Sequence, residues 1–137
     1  MLLHKDGLIE LNYDVVSDVL KVKWPDLTGF TMPEINYSLT KLIDTLRHYD
    51  IKKVHIDSRT SSVADISKEE YHNVLLGFAK RLMTTRLEKM ARIETADRSR
   101  ENVVTLTADE AVNNLGIQYE FQNFTDENTA LRWLTSN

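Results

Sequence analysis

Two amphipathic segments, each preceded by a helix-capping sequence, flank one short apolar segment, and this arrangement limits the chain to few folds. Capping boxes at Thr31-Met32-Pro33-Glu34 and Ser67-Lys68-Glu69-Glu70 predict where two helices begin, ending near residue 50 and residue 82. Each helix then has apolar residues at helical spacing: Ile35, Leu39, Leu42, Ile43 and Leu46 in the first, and Tyr71, Val74, Leu75, Phe78, Ala79 and Leu82 in the second. Between them, Val54 and Ile56 alternate with His55 and Asp57, which predicts a strand.

The remaining segments extend this alternation of strands and helices. Alternating apolar residues predict further strands over Gly7–Tyr13, Val19–Trp24, Lys89–Thr95 and Ile117–Phe121, the first two forming an antiparallel hairpin. A third capping box at Thr107-Ala108-Asp109-Glu110 predicts a helix that ends at Gly116, and a last helix is expected from about Thr125. Residues 97–106 fit either a loop or a helix.

The order β-β-α-β-α-β-α-β-α predicts one α/β domain over residues 1–137. We expect a five-stranded, mostly parallel sheet with an N-terminal antiparallel hairpin strand and about four helices, because βαβ units require parallel neighbours and right-handed crossovers.

Such a sheet would gather four loops at the carboxyl ends of its strands, where open α/β sheets bind ligands. These predicted loops are Pro25–Phe30, Asp57–Ile66, Ala96–Leu106 and Gln122–Phe124. We call this side of the molecule the carboxyl edge. Its candidate site residues are Asp57, Ser58, Arg59, Ser61 and Ser62, as a hydroxyl-rich segment that could bind a partner, and Arg98 and Arg100, as residues facing an anion.

The two arginines belong to a basic segment. Residues 80–100 contain seven basic and three acidic residues, a local net charge of +4 in a chain whose net charge is −4. This segment fits either a solvated helix end followed by a half-exposed strand or a docking surface for an acidic or phosphorylated partner.

Composition excludes several classes of function. The net charge of −4 argues against general nucleic-acid binding, and no apolar run approaches the roughly 20 residues of a membrane helix. The absence of cysteine excludes disulfides and thiolate metal sites, and with no signal peptide at the N-terminus it favours a cytoplasmic location. The four histidines lack metal-ligand spacing and the four glycines are isolated, so we expect neither metal nor cofactor.

His55, Asp57 and Ser58 are the residues that could suggest catalysis. Consecutive strand residues point to opposite faces, which separates Ser58 from His55, and no Gly-rich elbow surrounds the serine. We therefore expect a protein that is not an enzyme, with His55 buried and hydrogen-bonded.

The chain resembles a known family in its order of elements and in two sequence segments. The segments are Val54-His55-Ile56-Asp57-Ser58-Arg59 and, near the C-terminus, Phe124-Thr125-Asp126-Glu127 followed by Ala130-Leu131-Arg132-Trp133-Leu134. Together they resemble the SpoIIAA-like branch of the STAS (sulfate transporter and anti-sigma-factor antagonist) fold family. The resemblance implies a small, non-catalytic regulatory domain in which a serine is phosphorylated by a partner kinase. That serine would be Ser58, Ser61 or Ser62, although Asp57-Ser58-Arg59 differs from the family's Asp-Ser-Ser/Thr-Gly motif.

Two functions follow as hypotheses. The first is a regulatory module, monomeric or homodimeric, that binds another protein through the Asp57–Ile66 loop and the second helix. The alternative is a domain that binds a small apolar or anionic ligand between the carboxyl edge and the helices, in a pocket lined by Trp24, Phe30 and Phe78.

Overall fold

A computed structural model describes residues 1–24, 27–59, 61–63 and 66–136. Within these residues it has one six-stranded mixed sheet and four α-helices, which confirms the predicted α/β class. The strands are β1 (Leu2–Lys5), β2 (Glu10–Asp14), β3 (Val19–Lys23), β4 (Lys53–Asp57), β5 (Lys89–Ile93) and β6 (Glu120–Phe124). The helices are α1 (Met32–His48), α2 (Lys68–Leu82), α3 (Arg98–Glu110) and α4 (Glu127–Thr135), and α3 continues into a π-helical turn over Ala111–Leu115.

The strands lie side by side in chain order, from β1 at one edge to β6 at the other. Strands β1 to β3 pair antiparallel, whereas β3 to β6 pair parallel, as the βαβ pattern predicts. The sheet has one strand more than expected because Leu2–Lys5 pairs with β2. This edge strand buries little apolar surface, and Leu2 is 54% exposed. Its sequence shows no clear alternation of apolar and polar residues, which is the pattern that would predict a strand.

The two capping boxes that flank β4 form as predicted. Glu34 accepts the backbone N–H of Thr31 at 2.9 Å, and the Thr31 hydroxyl accepts the Glu34 N–H at 3.4 Å. Ser67 and Glu70 make the same reciprocal pair at the start of α2, at 3.1 and 3.3 Å. Both helices therefore begin at a local signal that is independent of the rest of the fold.

The predicted start of α3 at Thr107 is wrong. The helix begins nine residues earlier, at Arg98, where the Asp97 carboxylate caps it by accepting the Arg100 N–H at 3.1 Å. Thr107 lies buried within the helix and donates its hydroxyl to the Val103 carbonyl at 2.7 Å. The sequence before Thr107 has no apolar pattern that would predict a helix, because the residues that this part of the helix buries are largely polar. In addition, four of the five residues from 103 to 107 are β-branched, and such residues have a lower helix propensity.

The last parallel strand is shifted relative to its prediction. Gly116, with a φ of 65°, ends the π-helical turn in the left-handed conformation expected of it, but β6 begins only at Glu120. Residues 122–124, expected in a loop, are therefore part of the strand. The strand lies at an edge of the sheet, as predicted.

Helices α1, α2 and α3 cover one face of the sheet and α4 covers the other. Right-handed crossovers between strands added in one direction place successive helices on the same face. The larger core lies on that face and joins α1 and α2 to Leu20, Val54 and Met90 of the sheet. A smaller core joins Ala130 and Leu134 of α4 to the opposite face.

Candidate functional site

The loops that follow β4 and β5 meet at the carboxyl edge. Arg100, in the first turn of α3, donates from Nη1 to the carbonyl oxygen of Ser61 at 3.2 Å and to its hydroxyl at 3.0 Å. The loop after β3 joins them, since Leu27 donates its N–H to the Ser62 carbonyl at 2.9 Å. The prediction that the segments near residues 60 and 100 lie at one end of the molecule is confirmed. Pro25, Asp26, Thr60, Ala64 and Asp65 of the predicted loops lie outside the described residues.

Asp57 and Arg59 pair with each other at the end of β4. Asp57 accepts the backbone N–H of Arg59 at 3.0 Å, its Nε at 3.0 Å and its Nη2 at 2.8 Å. The hydrogen bonds from the Arg59 side chain hold the pKa of Asp57 below its ordinary value. Asp57 therefore closes a turn and fixes the exposed Arg59 guanidinium at this edge.

The three candidate serines differ in burial. Ser58 is 1% exposed, and its hydroxyl has no hydrogen-bond partner among the described residues. Ser61 is half-buried and donates its hydroxyl to the Ser58 carbonyl at 2.9 Å. Ser62 is also half-buried. Ser61 is thus the serine that combines partial exposure with a direct arginine contact.

Arg98 and Arg100 face different surroundings although they share the first turn of α3. Arg98 is exposed, whereas Arg100 is 4% exposed. Arg100 donates from Nε to the Tyr71 hydroxyl at 3.0 Å, and its guanidinium lies 5.4 Å from the centre of the Tyr71 ring. Among the candidate residues, the structure therefore brings Arg100, but not Arg98, into contact with Ser61 of the loop after β4.

A cavity of about 650 Å³ lies between α2, α3 and the face of β4 to β6 that these two helices cover. The hypothesis of a pocket named Trp24, Phe30 and Phe78 as lining residues. Trp24 and Phe78 do line it, with ring centres 5.4 Å apart, and Phe30 is not among its described lining residues. The remaining wall is mainly apolar and includes Ile56, Tyr71, Leu75, Leu82, Met90, Val104, Ala108, Ala111, Val112, Ile117 and Phe121.

Arg92 is the buried charged residue of the cavity wall, whereas Asp109 and Glu120 of the same wall are exposed. The sequence pattern predicts Arg92 on a half-exposed strand face. Arg92 is 6% exposed and donates from Nη1 and Nη2 to the two carboxylate oxygens of Glu101, at 2.6 and 2.9 Å. It also donates to Asn123 Oδ1 at 3.1 Å. Burial raises the pKa of Glu101, but hydrogen bonds from Arg92 and Thr95 outweigh burial and lower it to about 2.

The outer end of the cavity lies beside the π-helical turn and the β6 edge. Val112 of this turn, which is 58% exposed, lines the cavity with Gln118 and Gln122. The last turn of α3 precedes the π-helical turn, and His72 of α2 contacts it through Thr107 Oγ1 at 2.9 Å and Glu110 Oε2 at 3.1 Å. Single π-helical turns occur often at functional sites because they interrupt regular α-helical hydrogen bonding.

His55 lies on the opposite face of the sheet. It is 2% exposed, as predicted, and burial lowers its pKa. Its Nε2 has no hydrogen-bond partner among the described residues, so the expectation that this histidine is fully hydrogen-bonded is wrong. The Ser58 hydroxyl is also without a described partner, so the two side chains are not hydrogen-bonded to each other there.

Within the described part of the chain, no cluster of three or more histidine and acidic side chains could hold a metal ion. No helix among these residues has the length and apolar character needed to cross a membrane. Comparison of the chain with protein-family models, curated proteins and solved structures gives no match.

Proposed function

We propose that this domain binds a small, mainly apolar molecule in the cavity between α2, α3 and the sheet. The observation that supports the proposal is the cavity itself, with a volume of about 650 Å³ and walls of aromatic and aliphatic side chains. Ligand pockets in proteins typically measure roughly 300–1,000 Å³ and have this composition, with few polar groups. The cavity opens to solvent beside the exposed Val112, so a ligand can reach these walls.

The charge of the cavity wall favours an uncharged ligand body. The charged lining residues are Arg92, Asp109 and Glu120, and the Arg92 guanidinium is paired with the Glu101 carboxylate through two hydrogen bonds. The pair carries no net charge, so it offers little attraction to an anion inside the cavity. A neutral apolar body would contact Trp24 and Phe78 and leave this pair intact.

Binding can be tested with Nile red, a neutral dye that fluoresces in apolar surroundings, and with decanol as a competitor. We expect dye fluorescence to rise with protein concentration and to fall when decanol is added. A108F fills the cavity from α3, so we expect dye affinity to fall at least about tenfold, a loss of roughly 1.4 kcal/mol.

The matched control is T105F, which adds the same ring to an exposed position of α3 outside the described lining. It should bind the dye as the unmodified protein does. Failure of the protein to bind the dye, or equal affinity in A108F and T105F, would contradict the proposal.

A regulatory interaction module is the second candidate function, in line with the resemblance to SpoIIAA-like STAS domains. It is supported by Ser61, whose hydroxyl lies 3.0 Å from Arg100 Nη1. A phosphate on Ser61 would add nearly two negative charges beside that guanidinium and could change which protein binds the carboxyl edge. Mass spectrometry of the protein from its native host tests this, and unmodified Ser61 under all growth conditions would argue against it.

A further inference from the structure

We infer that the buried side chains around Arg100 form a binding site for an oxyanion, a phosphate or carboxylate group. The Arg100 cluster consists of Ser58, Ser61, Tyr71 and Arg100. It lies at the carboxyl edge and is distinct from the cavity, although the two share Tyr71.

The first argument is that Arg100 is buried with no carboxylate partner among the described residues. Buried charged side chains are normally paired with an opposite charge, because removing an isolated charge from water is costly. Arg92 and Arg100 are similarly buried, at 6% and 4% exposure, but only Arg92 has a carboxylate partner among the described residues. The nearby Asp97 carboxylate accepts the backbone N–H of Arg100 as the helix cap. An anion held at Arg100 would supply the negative charge that none of the described residues places there.

The second argument is that two buried donors of this cluster have no hydrogen-bond partner among the described residues. They are Arg100 Nη2 and the Ser58 hydroxyl. Ser61 contacts both residues, since its hydroxyl accepts from Arg100 Nη1 at 3.0 Å and donates to the Ser58 carbonyl at 2.9 Å. A guanidinium N–H and a hydroxyl both donate strongly to charged oxygen atoms. Two donors without a described partner, in a cluster that contains a buried guanidinium, are the chemistry that an oxyanion requires.

The oxyanion has two possible sources with the same chemistry. One is a free anion such as inorganic phosphate. The other is the carboxylate of an amphiphile whose apolar part lies in the cavity, because the Tyr71 hydroxyl accepts from Arg100 while Tyr71 also lines the cavity. The second source rests on the proposed function, whereas the first does not.

Thermal unfolding in phosphate and in chloride of equal ionic strength tests the site directly. At about 10 mM, general salting effects are small, so a Tm a few degrees higher in phosphate would report specific binding. We expect this difference in the unmodified protein and in R98Q, which removes the exposed arginine of the same helical turn. R100Q should lose the difference, and S58A should reduce it.

NMR of the arginine Nε–H groups keeps the test decisive if R100Q does not fold. The Arg100 signal should shift on phosphate addition until it saturates. The phosphate affinity from this titration should be lower in S58A than in the unmodified protein. Equal Tm values in the two salts and an unmoved Arg100 signal, together with equal binding of decanoate and decanol, would overturn the inference.

Competition against Nile red by decanoate and by decanol separates the two sources. If the oxyanion belongs to an amphiphile, decanoate should bind at least about tenfold more tightly than decanol, the scale of a charge-assisted hydrogen bond, and R100Q should remove this preference. If it is a free anion, phosphate should raise the Tm while decanoate and decanol compete equally. Failure of decanol to compete, with phosphate still raising the Tm, would overturn the cavity proposal alone.

Discussion

Arg92 of β5, which lines the cavity, and Glu101 of α3 form a bidentate ion pair, with nitrogen–oxygen distances of 2.6 and 2.9 Å. Both residues are less than a tenth exposed. Thr95 adds two hydrogen bonds to the same carboxylate, from its N–H at 3.1 Å and its hydroxyl at 2.7 Å. The pair thus fixes α3 to the sheet where the two elements enclose the cavity.

Replacing Glu101 by glutamine should destabilise the protein strongly. E101Q leaves the Arg92 guanidinium buried without its counter-charge, a change that typically costs about 3–5 kcal/mol. Urea unfolding gives the free energy, and E69Q at the exposed start of α2 is the control, with an expected change below about 0.5 kcal/mol. The double variant R92M/E101M should be more stable than E101Q, and a double variant equally unstable would show that the unpaired charge is not the cause.

Stability should fall in acid because of Glu101. Its pKa is about 2 in the folded protein against an ordinary value of 4.5, so the unfolded chain takes up the proton first. The contribution is complete above pH 4.5 and is lost as the pH falls toward 2, with a total of about 3 kcal/mol. Urea unfolding of the unmodified protein and of E101Q over this range measures it. Equal acid dependence in both proteins would contradict the assignment.

Removing the cap of α2 should have a moderate effect. S67A deletes the hydroxyl that accepts the Glu70 N–H at 3.1 Å, and such caps contribute about 1 kcal/mol. S99A, at an exposed position in α3, is the matched control and should change the unfolding free energy by less than about 0.5 kcal/mol. Equal effects of the two substitutions would argue against the cap.

Tyr119 should ionise at unusually high pH. Burial raises its pKa to about 12, and its hydroxyl donates to the Ala79 carbonyl of α2 at 3.0 Å. Ultraviolet titration of the folded protein should show an ionisation near pH 12 that Y119F removes. Y119F should also lose about 1 kcal/mol of stability because the hydrogen bond is absent. A titration curve unchanged in Y119F would disprove the assignment.

The elements that could be predicted from sequence are those with local signals. The capping boxes at Thr31 and Ser67 and the apolar stripes that follow them gave α1 and α2, and alternation gave β2 to β5. The start of α3 was missed because this helix buries Arg100, Glu101 and Thr107 in place of an apolar stripe. Its stability depends on partners from distant parts of the chain, which local pattern does not record.

The candidate site was predictable to the same degree. Topology brought Ser61 and Arg100 together, and aromatic residues at core spacing identified Trp24 and Phe78 as cavity residues. The burial of Arg92 and Arg100 could not be predicted, because charged residues are normally exposed. Their burial depends on Glu101 and Tyr71, whose positions follow only from the assembled fold.

The cavity is enclosed on one side by α3 and its π-helical turn, whereas α1 packs into the core with β3 and β4 at a distance from it. Changes at lining positions of this segment that are not fully buried, such as Ala108 and Val112, can therefore alter the size and chemistry of the cavity while α1 keeps its contacts. Under the proposed function, ligand preference can then diverge among descendants of this sequence through these positions without a matching loss of folding stability, and they are the positions at which to redesign specificity.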